Sequence, residues 1–385
     1  MKYLITLSTG KDSEATLWWA NENLSFDSWD VIFDDLDWDA DEVYQHLEYL
    51  EKRIGKKFIR IKGTRCKDTL TDELYAKIIE IFGKPNVFAE MVLSKGRFPS
   101  TKARFCTEIL KVEPMIDYIL DNIKEDVTII QGVRADESPS RKLMKESDDY
   151  FKFYFEPYGF DKKGNPKFHS YRKKEINEFL DKYECNVLRP IINLTFIDVF
   201  QIIFTNGSPA NALYRTGLSR VGCYPCVMCK LGEIRIIAQR SPKRIEQLAQ
   251  LEQLAGSTFF PPGFIPVRFC SKKAMCAVYR SDLIRLFGLK KKTIKQMNNL
   301  IDVELSTNPE QRLYETYFKN PLIPVHLDED GDEYIFRMVK VPTISDVVKY
   351  VLDNPDQQEA FVNVSSCVSV YNICDVEDKP NSTSM

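Results

Sequence analysis

Histidine is scarce in this chain: His46, His169 and His326 are the three among 385 residues. They are scattered, which argues against a zinc hydrolase built on histidines. No apolar run reaches the length of a membrane span. The opening MKYLITLSTG has too short an apolar stretch, and no cleavage-like tail, for a secretory leader. There is no G-x-S-x-G elbow, no full Walker spacing, no internal repeat and no low-complexity tract. A large charge of either sign is missing too, since 53 Lys and Arg against 56 Asp and Glu leave a net charge of −3. The surface as a whole is therefore not a general nucleic-acid magnet, and the basic run at Leu289–Lys295 reads best as a solvated helix face. These absences describe a soluble, cytoplasmic chain with no membrane partner, long enough for more than one domain.

What is present first is alternation. Lys2–Leu7, Trp29–Phe33, Lys57–Ile61 and Val127–Gln131 read as strands, and Asp12–Asn23, Ala40–Ile54, Asp72–Phe82 and Glu113–Asn122 as helices. Strands and helices in turn predict an α/β fold, a doubly wound and mainly parallel sheet covered on both faces. Residues 148–172, aromatic and charged together, read as a hairpin or excursion. Composition shifts near Asn206 toward turns and cysteines. The expected organisation is a nucleotide-binding domain over 1–205 and a mostly helical, cysteine-bearing region over 206–385, with 375–385 as a frayed tail.

The first strand runs into Ser8-Thr9-Gly10-Lys11-Asp12-Ser13 and then directly into a helix. A helix N-terminus carries unpaired N–H groups and partial positive charge. Gly10 lets the backbone approach an anion, Ser8, Thr9 and Ser13 supply hydroxyls, and Lys11 supplies a point charge. The first βα turn of a doubly wound sheet is also where ligands bind. This is a phosphate cradle, with Asp12 suited to capping the helix or helping to hold a metal ion.

The stretch resembles the PP-loop, SGGKDS, of the ATP pyrophosphatases, with Thr9 in place of the first glycine. Further motifs resemble the phosphoadenylylsulfate (PAPS) reductase family. Asp34 and Asp35 end the second strand, followed by Trp38 and His46, like the segment that closes over a nucleoside. Arg104-Phe105-Cys106-Thr107 with Leu110, Lys111 and Pro114 is similar to R-[WF]-C-[CT]-x-x-L-K-x-x-P. Gly132-Val133-Arg134 with Glu137, Ser138 and Arg141 is similar to G-x-R-x-x-E-S-x-x-R, and Leu188-Arg189-Pro190, Tyr214, Gly217, Arg220 and Gly222-Cys223 follow in the family's order. The resemblance implies Mg²⁺-ATP held by residues 8–13, Asp34, Asp35, Gly132, Arg134, Glu137 and Arg141. It also implies catalytic roles for Lys11, Asp12, Cys106, Lys111 and Arg134. On physical grounds, Lys11, Arg104, Lys111, Arg134 and Arg141 would offset charge building on a leaving pyrophosphate. Cys106 lies between two cations that favour thiolate.

Ten cysteines are many for a cytosolic protein, where clustered thiols point to metal or redox chemistry more than to disulfides. Cys223-x₂-Cys226-x₂-Cys229 lies at a turn, and Cys270, Cys276, Cys367 and Cys374 come later. Two pairs from distant parts of the chain make a four-thiolate site, which suits iron–sulfur or zinc. Relatives of this type, many in phages and bacterial mobile elements, pair G-C-x-P-C with a terminal C-x-x-x-Y-G-x-C. That resemblance implies Cys223, Cys226, Cys367 and Cys374 as ligands of a [4Fe–4S] cluster, with Zn²⁺ the alternative and Cys229, Cys270 and Cys276 as substitutes.

The implied activity is cleavage of ATP to AMP and pyrophosphate, adenylating an acceptor for sulfur transfer. DNA or tRNA is the favoured acceptor, as for the phosphorothioation ATPases, with a protein such as a cysteine desulfurase as sulfur donor. Sulfonucleotide reduction and sulfate adenylylation are alternatives. The Cys-Gly-Leu-His nucleophile usual in true reductases is absent. From another class, an ATP-dependent binding or regulatory module with a structural cluster fits the same residues.

Overall fold

The computed structural model describes residues 1–101, 103–160, 164–279, 324–327 and 333–354. They fall into two compact units, one of Met1–Gly159 with Pro166–Cys229 and one dominated by the residues from Lys230 onward. The division comes after Cys229, beyond the shift in composition at Asn206, because the turns of Asn211–Cys229 pack onto the first unit's own strands and loop.

The first unit is built on a six-stranded sheet. Its strands are β1 (Lys2–Leu7), β2 (Trp29–Asp34), β3 (Ile59–Ile61), β4 (Val127–Ile130), β5 (Ser147–Asp149) and, after two two-residue strands β6 (Gly159–Phe160) and β7 (Pro166–Lys167), β8 (Cys185–Leu188). The order β3-β2-β1-β4-β8-β5 is parallel throughout except for the edge strand β5, which runs against β8. Chain direction across the sheet reverses between β1 and β4, so the loops after these two strands flank the switch point where such sheets bind ligands.

Both faces are covered, which explains why the central strands read as continuous apolar runs. On one face Leu4, Ile32 and Ile129 pack with Met115, Ile116 and Ile119 of α6 (Glu113–Asn122) and with Ile176 and Phe179 of α8 (Lys173–Leu180). On the other, Ile5, Val31 and Ile130 are equally buried. There α1 (Lys11–Asn23) lies against β1 and against α9 (Phe196–Thr205), whose start is fixed by a capping box between Thr195 and Asp198. The helices α2 (Asp41–Ile54) and α3 (Asp72–Phe82) match their sequence pattern closely and end on the left-handed glycines Gly55 and Gly83. Helix α4 (Val87–Lys95) has no clear period in sequence. It is set by Asn86, whose side chain accepts from Ala89 N and donates to the Asp37 carbonyl.

Before α6, the short helix α5 (Phe105–Thr107) passes into a π-helical turn, Glu108–Val112, which carries Lys111. Such turns often mark functional sites. Gly63 faces this turn, where a Cβ would lie 2.6 Å from the Ile109 carbonyl oxygen, so only glycine fits there. Of the excursion expected over 148–172, Asp148 and Asp149 belong to the edge strand β5 and Phe151 and Tyr154 to the core; a single helical turn α7 (Lys152–Phe155) follows, and Tyr158 N donates to the Lys167 carbonyl.

In the second unit, α10 (Leu231–Arg240) packs against α11 (Pro242–Ala255) and α12 (Ile344–Asp353). Beside them stands an antiparallel ladder of β9 (Lys272–Tyr279) with β11 (Glu333–Val341), extended by β10 (His326–Leu327). The ladder was not evident from a composition that read as mostly helical. Among the described residues, no helix is long and apolar enough to cross a membrane.

Candidate functional site: the turn after the first strand

The turn from Ser8 to Ser13 is tied together through its own atoms. The Ser13 hydroxyl donates to the Gly10 carbonyl at 3.0 Å, accepts from Ser8 N at 3.1 Å and meets the Ser8 hydroxyl at 3.1 Å. Thr9 takes a left-handed conformation, φ 58°, where the PP-loop pattern has glycine. A β-branched residue there is strained. It is held by burial and by Asn211, whose Nδ2 donates to Thr9 Oγ1 at 3.1 Å. Gly10 caps α1 in extended backbone with no side-chain cap.

Charges alternate outward from this turn. Lys11 Nζ lies 3.0 Å from Asp12 Oδ2, and Arg134 Nε donates to Asp12 Oδ1 at 2.5 Å. Arg134 also reaches Asp136 at 2.8 Å and Glu137 at 3.5 Å, and Glu137 pairs with Arg141. Lys11, Arg134 and Arg141 are all buried. Asp12 thus acts as the anionic bridge between two cations, not as a helix cap. Gly132 brings the two loops together: a Cβ on it would lie 2.7 Å from the Asp12 carbonyl and from Ser13 Cα.

Tyr214 covers the turn. Its hydroxyl accepts from Lys11 N at 2.8 Å and lies 3.6 Å from where a Gly10 Cβ would be. A protein oxygen therefore occupies one of the amides expected to face a phosphate. The sequence quotes Tyr214 only by its order in the family, and nothing local to it announces this contact. Asn211 is equally silent in sequence.

The acidic run divides by partner. Asp35 is locked by Tyr44 OH at 2.8 Å and Lys62 at 3.2 Å, and Asp37 by Lys62 at 2.7 Å and Lys84 at 3.5 Å. Asp34 is different. Its Oδ1 is buried without a hydrogen-bond partner, and burial raises its carboxyl to about 7 against the opposing pull of Lys111. Trp38 and His46 do not cover a nucleoside: Trp38 is buried and stacked 4.3 Å from Phe88, and His46 pairs with the buried Glu14 at 2.8 Å.

Lys111 and Cys106 belong to a second neighbourhood. Both act electrostatically on Cys223, as do Asp39 and Cys226, while burial, the largest effect, pushes the Cys223 thiol far up. The Cys223 turn is pinned to the acidic segment by an Asp39–Cys223 bridge, by Tyr224 N on the Trp38 carbonyl and by Trp38 Nε1 on the Pro225 carbonyl at 2.8 Å. Met228 N donates to Cys226 Sγ at 3.5 Å and Cys226 N to Cys229 Sγ at 3.3 Å. Cys367 and Cys374 lie outside the described residues, and among the described residues no three potential metal ligands converge. Cys270 and Cys276 sit in the second unit, where burial raises both thiols. Arg104 donates from Nη2 to Thr107 Oγ1 at 3.1 Å and leaves Nη1 buried without a partner.

The phosphoadenosine phosphosulfate reductase domain family matches residues 2–229, the whole span of the sheet, the turn and the Cys223–Cys229 segment. The chain belongs to that family. An uncharacterized 37.8 kDa protein of Escherichia phage 186 is 32% identical over 304 residues, covering 69% of this chain and 80% of the phage protein. An uncharacterized protein of Methanocaldococcus jannaschii is 27% identical over 244 residues, 63% of this chain, and the match spans only 40% of that longer protein. Among solved structures, a phosphoadenylyl-sulfate reductase from Candida auris in a phosphate complex shares 13% identity, with a TM-score of 0.33, over 58% of this chain and 81% of that one. Family membership makes the chain a sulfonucleotide-related or PP-loop type of enzyme with a nucleotide-binding domain.

Proposed function

We propose that the chain is an ATP pyrophosphatase-type enzyme that cleaves Mg²⁺-ATP to AMP and pyrophosphate, adenylating a nucleic-acid acceptor, DNA or tRNA, for sulfur transfer. The observation that carries this reading is the turn itself: a Ser-Thr-Gly-Lys-Asp-Ser loop at the switch point, with Lys11 and Arg134 bracketing Asp12. Cations fixed on one side of a transferring phosphoryl group stabilise the charge that develops on its leaving group, and they need no reorganisation as it does so. In this reading, Lys11 and Arg134 hold the β and γ phosphates, Asp12 keeps both cations in place, and Asp34, with its buried unpartnered oxygen, would be the carboxylate to hold Mg²⁺. Arg141 braces Glu137, which in turn orients Arg134.

The proposed [4Fe–4S] cluster, with Zn²⁺ the alternative, is placed on Cys223, Cys226, Cys367 and Cys374. Of the described pair, Cys226 has an amide aimed at its Sγ, which favours thiolate, while burial works against thiolate at Cys223 until a metal joins it. Bound there, such a group would hold or deliver sulfur, with a cysteine desulfurase-type donor as partner.

ATP–pyrophosphate exchange tests the reading. Exchange is expected with the wild-type protein and acceptor, and Lys11→Ala should lower it about 100-fold or more while the fold survives. Undiminished exchange in that variant would retire the phosphate-cradle assignment. The Tyr214 hydroxyl on the Lys11 amide favours one second reading, a nucleotide-gated binding module, in which nucleotide displaces Tyr214 and no pyrophosphate is released.

A further inference from the structure

Beyond the carboxyl ends of β4 and β8, next to the turn but separate from it, lies a cavity of about 270 Å³. Gln131 and Arg189, the residues immediately after these strands, form its floor, and Tyr150, Phe153, Leu143 and Lys145 line its walls. It opens one residue from Gly132, which packs on Asp12, and beside Val112, which follows Lys111.

Arg189 is the unusual member. It is 9% exposed, and its side chain makes a single hydrogen bond, from Nη1 to the Lys145 carbonyl at 2.8 Å. Its Nε is sealed with no partner. A buried guanidinium normally finds a carboxylate or phosphate to receive its fork of donors. Here the half-buried acid nearby is already engaged, and Glu146 is exposed. Asp148 is held by Lys152 at 3.1 Å and by Asp149 N, and Lys152 also reaches Glu156 at 3.7 Å. Asp149 remains, on the exposed rim. Burial correspondingly pulls Arg189 below its usual range, with Asp148 opposing. Asp148, Asp149 and Glu156 line the same cavity, but among the described residues none forms an ion pair with Arg189.

The walls say what would carry an anion to Arg189. Phe153 and Tyr150 both line the cavity and stand edge to face, 6.5 Å apart, with Phe153 also 5.5 Å from His169 and Tyr150 5.1 Å from Phe151. Gln131 contributes an amide that both donates and accepts. Ring surface, an amide and a cation together are what a nucleotide requires: stacking for the base, a polar edge and a phosphate contact. We infer that this cavity binds one nucleotide of the acceptor strand, its phosphate on Arg189 and Lys145 and its base against Phe153 and Tyr150. The inference rests on the reading of the acceptor as nucleic acid, and it assigns that acceptor a place on the same sheet edge as the ATP turn.

The test is direct binding of CMP, GMP, cytidine and inorganic phosphate to the full chain, with ATP measured in parallel. CMP or GMP should bind more tightly than either the nucleoside or phosphate alone. Arg189→Gln should weaken that binding tenfold or more and leave ATP within about twofold, and Lys11→Ala should do the reverse. Lys145→Glu, a change at an exposed position, should weaken monophosphate binding several-fold and serves if Arg189→Gln does not fold. Monophosphate binding indifferent to Lys145→Glu, or phosphate binding as tightly as CMP, would overturn the pocket. Binding that follows Arg189 and Lys145 in a protein that never exchanges pyrophosphate would leave the pocket standing and refute the adenylation reading.

Discussion

The turn after β1 and the cavity past β4 and β8 lie on one edge of one sheet and handle charge in opposite ways. In the turn each cation has its anion: Lys11 and Arg134 share Asp12, and Arg141 has Glu137. Around the cavity a buried donor goes unmatched, Arg189 Nε on its floor. A matched network holds its own shape and is rigid before any ligand arrives. An unmatched cation costs stability until something anionic joins it. The first arrangement suits a site that must keep phosphates in fixed geometry, and the second suits one that waits for a partner.

The comparison breaks most visibly at Arg134. Truncating one partner of a buried ion pair strands the other, so Arg134→Ala should destabilise the first unit by about 3–5 kcal/mol, read by denaturant unfolding. A loss below about 1 kcal/mol would mean that Asp12 is already balanced by Lys11 alone. Arg189→Gln should cost far less in the ligand-free protein, because that guanidinium gives up one hydrogen bond and a desolvation penalty together.

This contrast also explains what the sequence could and could not disclose. The turn is six contiguous residues between a strand and a helix with unmistakable periods, so its composition and place in the fold were both readable. Gly132 and Arg134 were readable because they follow a buried strand directly. The cavity was not, because it is assembled from β4, β8, the β5 edge and α7, and Arg189, quoted in sequence only as one position of a family motif, gave no sign there of the unpartnered Nε that the structure shows. Trp38 and His46 misled for a related reason: an aromatic or a histidine after a strand looks the same in sequence whether it turns toward a ligand or, as here, into the core. The left-handed Thr9 could be suspected from the family pattern, but Asn211, which holds it, is some two hundred residues away and carries no local signal.

Away from both sites, at the start of α6, Glu113 tests the cost of an unmatched buried group through pH. Burial raises its carboxyl from 4.5 to about 7, prevailing over Arg65, whose guanidinium is 2.8 Å away but half exposed. A carboxyl with a raised folded pKa contributes fully below its unfolded value, loses that contribution as pH rises toward 7, and changes little above it. The loss is bounded by about 3 kcal/mol. The wild-type melting temperature should therefore fall between pH 5 and pH 7.5 relative to Glu113→Gln, in which this slope is removed. Parallel curves for the two proteins would show that Arg65 fully satisfies the carboxylate.

The smallest effect tests how the turn tolerates its own strain. At φ 58° a β-branched side chain costs roughly 1–2 kcal/mol, and the bond from Asn211 to Thr9 Oγ1 returns about 1 kcal/mol. Thr9→Gly removes both and adds freedom to the unfolded chain, roughly 0.5–1 kcal/mol, so its stability should lie within about 1 kcal/mol of wild type. Thr9→Val keeps the strain, loses the bond and leaves Asn211 Nδ2 short of an acceptor, so it should be less stable by about 1–2 kcal/mol. The order of the two variants is the informative result. Valine more stable than glycine would mean that packing, rather than the Asn211 bond, keeps Thr9 left-handed, and the turn would then owe its shape to the side chains around it instead of to its own hydrogen bonds.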